Sequence, residues 1–254
     1  MFSLKNKHAV ITGGGSGIGH ATCLLFGKQN AIVHVLDINT DAAEATAAQI
    51  KNDGGIAFSH TCDVTNQKNV IEVVNSIETI HILVNSAGVS HIGNVETTTE
   101  SDMSRIYNVN IKGVYNCLHS VVPVMKKNNG GAIVNLCSVA AWVGLQDRFA
   151  YSMSKGAVSA MTISVAKDYL QDNIRCNSVS PGRVHTPFVD DFLAKNYPGK
   201  EKEMFDKLSR TQPIGRMGTP AEIATIILFL CSDEAAFITG TDYPIDGGFL
   251  KLNT

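Results

Sequence analysis

Short apolar runs alternate with helical patterns along the first part of the chain. The runs have the length of buried strands and lie at residues 7–12, 31–37, 56–64 and 81–88. The helical patterns between them lie at residues 18–29, 40–52 and 66–77. Because each strand is followed by a turn and a helix, the pattern predicts an α/β fold built from repeated strand–helix units.

The second part of the chain continues this alternation, with one exception. It predicts helices over 100–127, 151–171 and 220–231 and strands over 131–137, 174–179 and 241–246. Residues 183–215 are polar, charged and longer than an ordinary connection, which is typical of a lid over a binding site. No repeat or linker interrupts the pattern, so we expect residues 1–254 to form a single domain.

The composition and net charge of the chain limit the kinds of molecule that the protein is expected to bind. The chain has 254 residues, of which 44% are hydrophobic and 17% charged, with a net charge of −2 and no run of like charges. We therefore expect a soluble globular protein with a small-molecule substrate, and binding to neither nucleic acid nor an anionic membrane. No charged-then-apolar leader opens the chain and no apolar run reaches membrane length, which favours a cytoplasmic location.

The cysteines and histidines show no metal-ligand spacing. The six cysteines are far apart and form no C-x-x-C pair, so buried thiols are the favoured interpretation. The eight histidines form no H-E-x-x-H or related pattern. No metal site is therefore expected.

A glycine-rich turn follows the first predicted strand. The run KHAVIT breaks into GGGSGIG, in which Gly13, Gly17 and Gly19 follow the pattern T-G-x-x-x-G-x-G. Such a turn directs backbone N–H groups and the positive end of the next helix at one place, which suits a phosphate group. An ordinary strand-to-helix turn is the alternative for a glycine loop taken alone.

An acid ends the second predicted strand. Asp37 closes AIVHVLD eighteen residues after Gly19, close to where a dinucleotide fold has the carboxylate that binds the adenosine ribose. Neither the glycine loop nor the two residues after Asp37 are basic, which favours NAD over NADP. The alternative is that Asp37 only caps the helix that begins near Thr40.

Further polar residues follow the third and fourth predicted strands. Asp63 comes at the end of the third strand, and Asn85 and Gly88 come in HILVNSAG. Ligands of open α/β sheets bind at such strand ends, although Asp63 and Asn85 could equally be turn formers. Asn110 lies among the apolar positions of helix 100–127, and spacing alone leaves open whether its side chain is buried or exposed.

The stretch SVAAWVGLQDRFAYSMSK contains three groups that could share one proton. Tyr151 and Lys155 are four residues apart, so on a helix they lie on the same face. A cation about 4 Å from the phenol would lower its pKa by roughly two to three units. Ser138, thirteen residues before Tyr151, could hold a substrate oxygen while the phenol moves the proton.

Seven features in register resemble the classical short-chain dehydrogenase/reductase (SDR) family over nearly the whole chain. They are the glycine loop, N-S-A-G at the fourth strand, Asn110, Ser138, Y-x-x-x-K, P-G at 181 and D-G-G at 246. The resemblance implies a Rossmann-type, doubly wound parallel sheet of about seven strands with helices on both faces. It also implies a homotetramer built through two long helices and the C-terminal segment.

The resemblance further implies a role for each matching residue. Tyr151 would accept the proton in oxidation, Lys155 would lower its pKa and hold the nicotinamide ribose, and Ser138 would bind the reacting oxygen. Asn110 would hold a water that links Lys155 to solvent. The implied NAD contacts are Gly13, Ser16, Gly17 and Ile18 at the diphosphate, Asp37 at the ribose, Asp63 and Val64 at the adenine, Asn85 and Gly88 near the nicotinamide, and Val184 and Thr186 at the carboxamide.

Two positions depart from the family pattern. Ser86 stands where a second Asn is usual, and residues 76–82 form a short connection that trims a surface loop. In the family, backbone groups make most of the contacts at this position. The replacement of Asn by Ser86 is therefore expected to change the site little.

Arg148 suggests the class of substrate. It lies three residues before Tyr151, where a guanidinium can bind a carboxylate through two parallel hydrogen bonds. The alternative is a weak surface ion pair with its neighbour Asp147.

Together with His91 and NIRCN at 173–177, Arg148 is similar to the branch of cytosolic hydroxybutyrate dehydrogenases and 2-keto-3-deoxy-L-fuconate dehydrogenases. Arg210 in the lid could bind the carboxylate as well. Phe192 stands where the hydroxybutyrate enzymes have another arginine, which favours a sugar acid.

The leading hypothesis is therefore an NAD-dependent oxidoreductase that oxidises a secondary alcohol on a small carboxylate. The first alternative is a reductase of acyl or sugar carbonyls. The second, from another class, is a nucleotide-sensing regulator that keeps the fold without turnover, which the Asn110, Ser138, Tyr151 and Lys155 set disfavours.

Overall fold

The computed structural model describes residues 2–252, so the outermost residues of the predicted domain lie outside the described part. Within it, seven parallel strands form one sheet in the order β3–β2–β1–β4–β5–β6–β7. The strands are β1 His8–Thr12, β2 Ile32–Asp37, β3 Ile56–Thr61, β4 Ile82–Asn85, β5 Gly131–Leu136, β6 Ile174–Pro181 and β7 Asp242–Ile245. The predicted doubly wound parallel sheet is confirmed. Because the strand order reverses between β1 and β4, a crevice opens there at the carboxyl ends of the strands.

Helices cover both faces of this sheet. They are α1 Gly17–Lys28, α2 Thr40–Asn52, α3 Gln67–Asn75, α4 Glu100–Ile106, α5 Gly113–Lys127, α6 Phe149–Asp168, α7 Pro187–Asn196, α8 Glu201–Ser209 and α9 Pro220–Cys231. One apolar layer joins the sheet to α1, α2 and α9, and a second joins it to α3, α5 and α6. In β1, Ile11 belongs to the first layer and Val10 to the second. A strand buried on both sides explains why its sequence is a continuous apolar run.

The helix predicted over 100–127 is interrupted. Residues Tyr107–Lys112 form a π-helical turn between α4 and α5, which the sequence pattern did not predict. Asn110 lies within this turn and is 1% exposed. A π turn adds a residue to one turn of a helix and is frequent at functional sites. Here it coincides with a buried amide that bonds to neighbouring elements.

The predicted lid, residues 183–215, folds into α7 and α8 with short connections. Pro187 occupies the first turn of α7, where its missing N–H costs nothing. Within residues 2–252, no helix has the length and apolar character needed to cross a bilayer.

A row of histidines crosses β1, β2 and β3 and ends at His81, the residue before β4. His8 Nδ1 lies 3.2 Å from His34 Nε2, and His34 Nδ1 lies 3.1 Å from His60 Nε2. At the other end of the row, the His8 backbone N–H donates to His81 Nδ1 at 3.0 Å. The His34 ring is buried. These rings bond to each other, and among the described residues no group of histidine, cysteine or acidic side chains has an arrangement that could hold a metal ion.

Candidate active site

The glycine loop joins β1 to α1 with very close backbone packing. A Cβ on Gly19 would lie 2.1 Å from the carbonyl oxygen of Gly13. Gly13 itself has φ +66°, and a Cβ there would lie 2.9 Å from the backbone of Ala87. These two glycines are thus required by the chain's own packing. Residues 16–18, at the N-terminal end of α1, are the part of the loop that faces the main cavity.

Asp37 lies at the end of β2 beside this loop. Its Oδ2 accepts from the Gly15 backbone N–H and its Oδ1 from the Asn39 backbone N–H, each at 2.9 Å. The cap of α2 is Asn39, whose side chain accepts from Ala42 N at 3.1 Å. The alternative that Asp37 caps α2 is therefore wrong. Its carboxylate is instead fixed at the strand end by the glycine loop, where it is partly exposed.

Three of the predicted cofactor residues make contacts within the protein. Asp63 Oδ1 accepts from the backbone N–H and the hydroxyl of Thr65, as a turn former does. The Val64 carbonyl accepts from Asn116, and Asn85 donates to Asn135 at 2.8 Å in the core. These residues support the strand ends and do not line the main cavity.

The remaining predicted cofactor residues face the main cavity, which has a volume of about 790 Å³. They are Ser16, Gly17, Ile18, Gly88, Val184 and Thr186. A Cβ on Gly88 would lie 3.8 Å from Lys155 Nζ and 3.4 Å from Asn110 Oδ1, so the Gly88 backbone lies close to both of these side chains. The cavity thus runs from the N-terminal end of α1 to the first turns of α6.

Tyr151 and Lys155 line the same cavity from α6. Lys155 Nζ lies 5.7 Å from the centroid of the Tyr151 ring, so both side chains lie on one side of the helix, as their spacing predicted. The ammonium is buried and donates to the Leu136 carbonyl at 2.7 Å. Ser138 follows β5 and also lines the cavity, and its hydroxyl accepts from the Ala140 N–H at 3.2 Å. The hydroxyl, phenol and ammonium predicted to share a proton are therefore brought to one place.

Asn110 links the π turn to this helix. Its amide oxygen accepts from Val89 N, and its nitrogen donates to Val89 O, both at 2.9 Å. The same nitrogen donates to Ser154 Oγ at 3.0 Å, and that hydroxyl donates to the Tyr151 carbonyl at 2.7 Å. The question left open by the sequence is thus settled in favour of a buried side chain. Ser154, which sequence reasoning missed, connects Asn110 to the first turn of α6.

Arg148 lies at the substrate end of the cavity. Its guanidinium donates to the His91 carbonyl at 3.1 Å, and no carboxylate of the described residues lies within 4 Å of it. The alternative of an ion pair with Asp147 is therefore wrong. Burial lowers the pKa of the Arg148 guanidinium, while the nearby Tyr151 and Asp147 raise it. An arginine with few partners in a cavity is able to bind an anion.

Comparison with known proteins agrees with this geometry. Residues 13–250 match the family model described as enoyl-(acyl carrier protein) reductase. The chain is 36% identical to dehydrogenase/reductase SDR family member 6 of Rattus norvegicus, over 98% of this chain and 99% of that protein. The chain belongs to the short-chain dehydrogenase/reductase family. As an SDR, it is an oxidoreductase that acts on CH–OH or carbonyl groups.

Other SDRs similar to this chain differ in their substrates. It is 37% identical to cyclohexanol dehydrogenase of Acinetobacter sp., over 96% of this chain and 95% of that protein. The solved structure of L-sorbose reductase from Gluconobacter frateurii, complexed with NADPH and L-sorbose, superposes with a TM-score of 0.94. That similarity covers 98% of each chain at 28% identity. Within the SDR family, substrate and cofactor must therefore be argued from residues of this chain.

His91 contributes to the site of this SDR through its backbone. Its carbonyl accepts from Arg148, while its ring Nδ1 lies 3.5 Å from Asp102 on α4. The ring Nε2 is buried, and a Cβ on Gly93 would lie only 2.6 Å from it. The backbones of residues 91–93 and 147–149 also pair, since Phe149 N donates to Gly93 O at 3.1 Å. His91 therefore holds Arg148 in position.

Arg210 does not reach the cavity. It lies at the C-terminal end of α8 with its side chain exposed, and it is not among the described residues that line the cavity. The structure therefore gives no support to the prediction that it adds a second clamp. Arg183 and Lys195 line the cavity instead. Arg183 could have been found from the sequence, because it directly follows Pro181-Gly182 and precedes a predicted cofactor residue, Val184.

Proposed function

We propose that this SDR is an NAD-dependent dehydrogenase that oxidises a secondary alcohol on a small carboxylated substrate, a hydroxy acid or a sugar acid such as a 2-keto-3-deoxy-aldonate. The observation that carries the proposal is Arg148. Its half-buried guanidinium faces the cavity with Tyr151 and Ser138, and no carboxylate of the described residues lies within 4 Å of it. A substrate carboxylate would supply that partner and would orient the alcohol carbon toward the proton-transfer group.

The chemistry assigned to the chain's own residues is a proton transfer. Ser138 holds the alcohol oxygen, and the Tyr151 phenolate takes the alcohol proton as the carbonyl forms. The ammonium of Lys155 stabilises the phenolate form of Tyr151. Bound NAD supplies the hydride acceptor. Asn110 and Ser154 act as positioning residues, since they hold the first turn of α6 against the loop after β4.

The cofactor seat fits a dinucleotide. The loop residues 16–18 face the cavity at the positive end of a helix of twelve residues, which suits the diphosphate. Gly88 lies beside Lys155 in the cavity, where a nicotinamide ribose would lie. Asp37 would accept hydrogen bonds from the adenosine ribose hydroxyls and repel a 2′-phosphate. Ile38 and Asn39 next to it are exposed and carry no positive charge, which supports NAD over NADP.

The second candidate function is reduction of an acyl or sugar carbonyl. It is favoured by the match to the enoyl-(acyl carrier protein) reductase model and by the similarity to L-sorbose reductase, a structure that contains NADPH. Titration of the protein with NADH and NADPH, followed by cofactor fluorescence, separates the two functions. Preferential binding of NADPH would support the reductase and contradict the NAD-dependent dehydrogenase.

The main experiment is a screen of hydroxy acids and sugar acids with NAD, followed by absorbance of the reduced cofactor. In Arg148→Ala we expect kcat/KM for an acid to fall about 100-fold, because a charged hydrogen-bonded pair is lost, and kcat/KM for the uncharged amide analogue to change little. Equal effects on both substrates would contradict the proposal that Arg148 binds the substrate carboxylate. If the wild type shows no turnover in the screen and a Tyr151→Phe variant matches it, a regulator without chemistry is supported instead.

We further propose that residues 1–254 act as one domain, with residues 183–215 as its lid, and that four copies assemble. Both lid helices contribute cavity-lining side chains, including Val189 from α7 and Leu208 from α8. The exposed faces of the long helices carry apolar residues such as Tyr115 on α5 and Ile163 on α6. Light scattering after size exclusion tests the assembly, and a monomer would contradict it.

A further inference from the structure

Arg183 is a second arginine in the substrate end of the cavity. It follows the carboxyl end of β6 and lines the same cavity as Arg148 and Tyr151. Its Nε donates to Thr211 Oγ1 at 3.0 Å, and its backbone N–H donates to Gln212 Oε1 at 3.1 Å. These bonds fix the arginine against the end of the lid. No carboxylate of the described residues lies within 4 Å of its guanidinium.

A structural arginine elsewhere in the chain shows how this protein satisfies a half-buried guanidinium. Arg175 donates to the carbonyls of Leu230, Ile238 and Ser232 at 2.8, 3.3 and 3.1 Å. A guanidinium has five N–H donors. Among the residues that the structure describes, the guanidinium of Arg183 bonds to one acceptor and that of Arg148 also to one. Both cavity arginines therefore keep donors for a ligand, whereas Arg175 is bound to the protein backbone.

The charge of the cavity lining is strongly one-sided. Its described cationic residues are Arg105, Arg148, Lys155, Arg183 and Lys195, and its acidic residue is Asp191. Lys155 acts on Tyr151, and Arg105 lies 4.0 Å from Asp102. The cofactor diphosphate would lie at residues 16–18, at the other end. A single substrate carboxylate on Arg148 therefore leaves Arg183 without an anion.

We propose that Arg183 binds a second anionic group of the substrate, so that this enzyme acts on a hydroxy acid that carries a further carboxylate or a phosphate. The proposal rests on the proposed function, because Arg148 there holds the first carboxylate. Burial and the charge of Arg148 both lower the pKa of Arg183, as expected for two close guanidinium groups that no protein acid neutralises. A ligand with two negative charges would remove this repulsion.

The test compares two ligands that differ in one charge. Succinate and its monoamide succinamate are titrated by calorimetry into the protein saturated with NADH, together with 3-phosphonopropionate to distinguish phosphate from carboxylate. We expect Arg183→Gln to weaken succinate about 10- to 100-fold, the usual effect of losing a charged hydrogen bond, and to leave succinamate unchanged. Arg183→Lys should restore part of the loss. Arg148→Gln should weaken both ligands.

Matched control variants distinguish a direct contact between Arg183 and the ligand from a general effect of positive charge in the lid. Arg210→Gln removes a positive charge from the same lid outside the cavity, and Thr211→Val removes the Nε partner while leaving the guanidinium. Neither should change the preference for succinate as Arg183→Gln does. The proposal is overturned if the wild type does not bind succinate, if Arg183→Gln weakens both ligands equally or neither, or if it weakens NADH instead. If Arg148→Gln changes neither ligand while Arg183→Gln still discriminates, the carboxylate clamp of the proposed function fails and the Arg183 subsite stands.

Discussion

The histidine row around the buried His34 should make the stability of this protein fall in mild acid. Burial, followed by the charges of His60 and His8, lowers the pKa of His34 from 6.5 to about 3. In the unfolded chain His34 takes up a proton below its ordinary pKa, whereas in the folded protein it stays neutral until about pH 3. The unfolded state therefore binds more protons, and the free energy of unfolding decreases as the pH falls below 6.5.

The size of the effect follows from the displacement of the pKa. Because of His34, each pH unit below 6.5 removes about 1.4 kcal/mol from the free energy of unfolding. The free energy of unfolding should therefore be roughly 2 kcal/mol lower at pH 5 than at pH 7. The ring is 6% exposed, so solvent screens this cost little. Burial also lowers the pKa values of His8, His60 and His81, with Glu78 opposing the effect at His8 and Lys7 adding to it at His81. The free energy of unfolding of the wild type should thus fall with decreasing pH at least as steeply as His34 alone predicts.

The perturbation is His34→Val, which keeps a residue suited to a buried strand and removes the titrating ring. Urea unfolding at pH 7 and pH 5 gives the loss of stability on acidification for each protein. We expect the loss in His34→Val to be smaller than in the wild type by about 2 kcal/mol. His119→Gln, which changes an exposed histidine, should leave the wild-type loss unchanged. Equal losses in the wild type and His34→Val would refute the assignment of acid sensitivity to this row.

Three further substitutions test the site. Gly19→Ala would bring a Cβ to 2.1 Å from the Gly13 carbonyl oxygen, and it should lower the free energy of unfolding measured in urea by about 3 kcal/mol or more. The control Gly144→Ala has open space around the new Cβ and should leave the free energy of unfolding nearly unchanged. Asp37→Asn keeps an acceptor for the Gly15 N–H but removes the charge, so the NADH-to-NADPH affinity ratio from fluorescence titration should fall about 10-fold; an unchanged ratio would contradict the ribose role. Asn110→Leu leaves the part-buried Val89 N–H unpaired and should cost about 1–3 kcal/mol and lower kcat. A variant with wild-type kcat would contradict the positioning role of Asn110.

The regular part of the fold was predictable because it depends on local patterns. Strands buried on both faces are continuous apolar runs, so β1, β2 and β4 were found from the sequence alone. The π turn at Asn110 was not, because it coincides with bonds to Val89 and Ser154, which are distant in sequence. Helix periodicity contains no information about such partners.

Side-chain roles within the site were predictable only where spacing determines geometry. Tyr151 and Lys155 lie together because four residues make about one helical turn. Asp37 and Asn39 are both good helix caps by residue type, and only the orientation of Asn39 toward Ala42 decides between them. The sequence suggested Arg210 as a clamp, and the fold shows that Arg183, after β6, lines the cavity whereas Arg210, at the end of α8, does not.

The way in which α6 is held in place explains why the π turn at Asn110 belongs to the site. A continuous α-helix over 100–127 would lack the extra residue that the π turn introduces. In the π turn, the Asn110 amide satisfies both backbone groups of Val89 and still reaches Ser154. Ser154 then holds the Tyr151 carbonyl in the first turn of α6. The loop that carries Gly88 and the helix that carries the Tyr151 phenol are therefore fixed to each other through one buried amide.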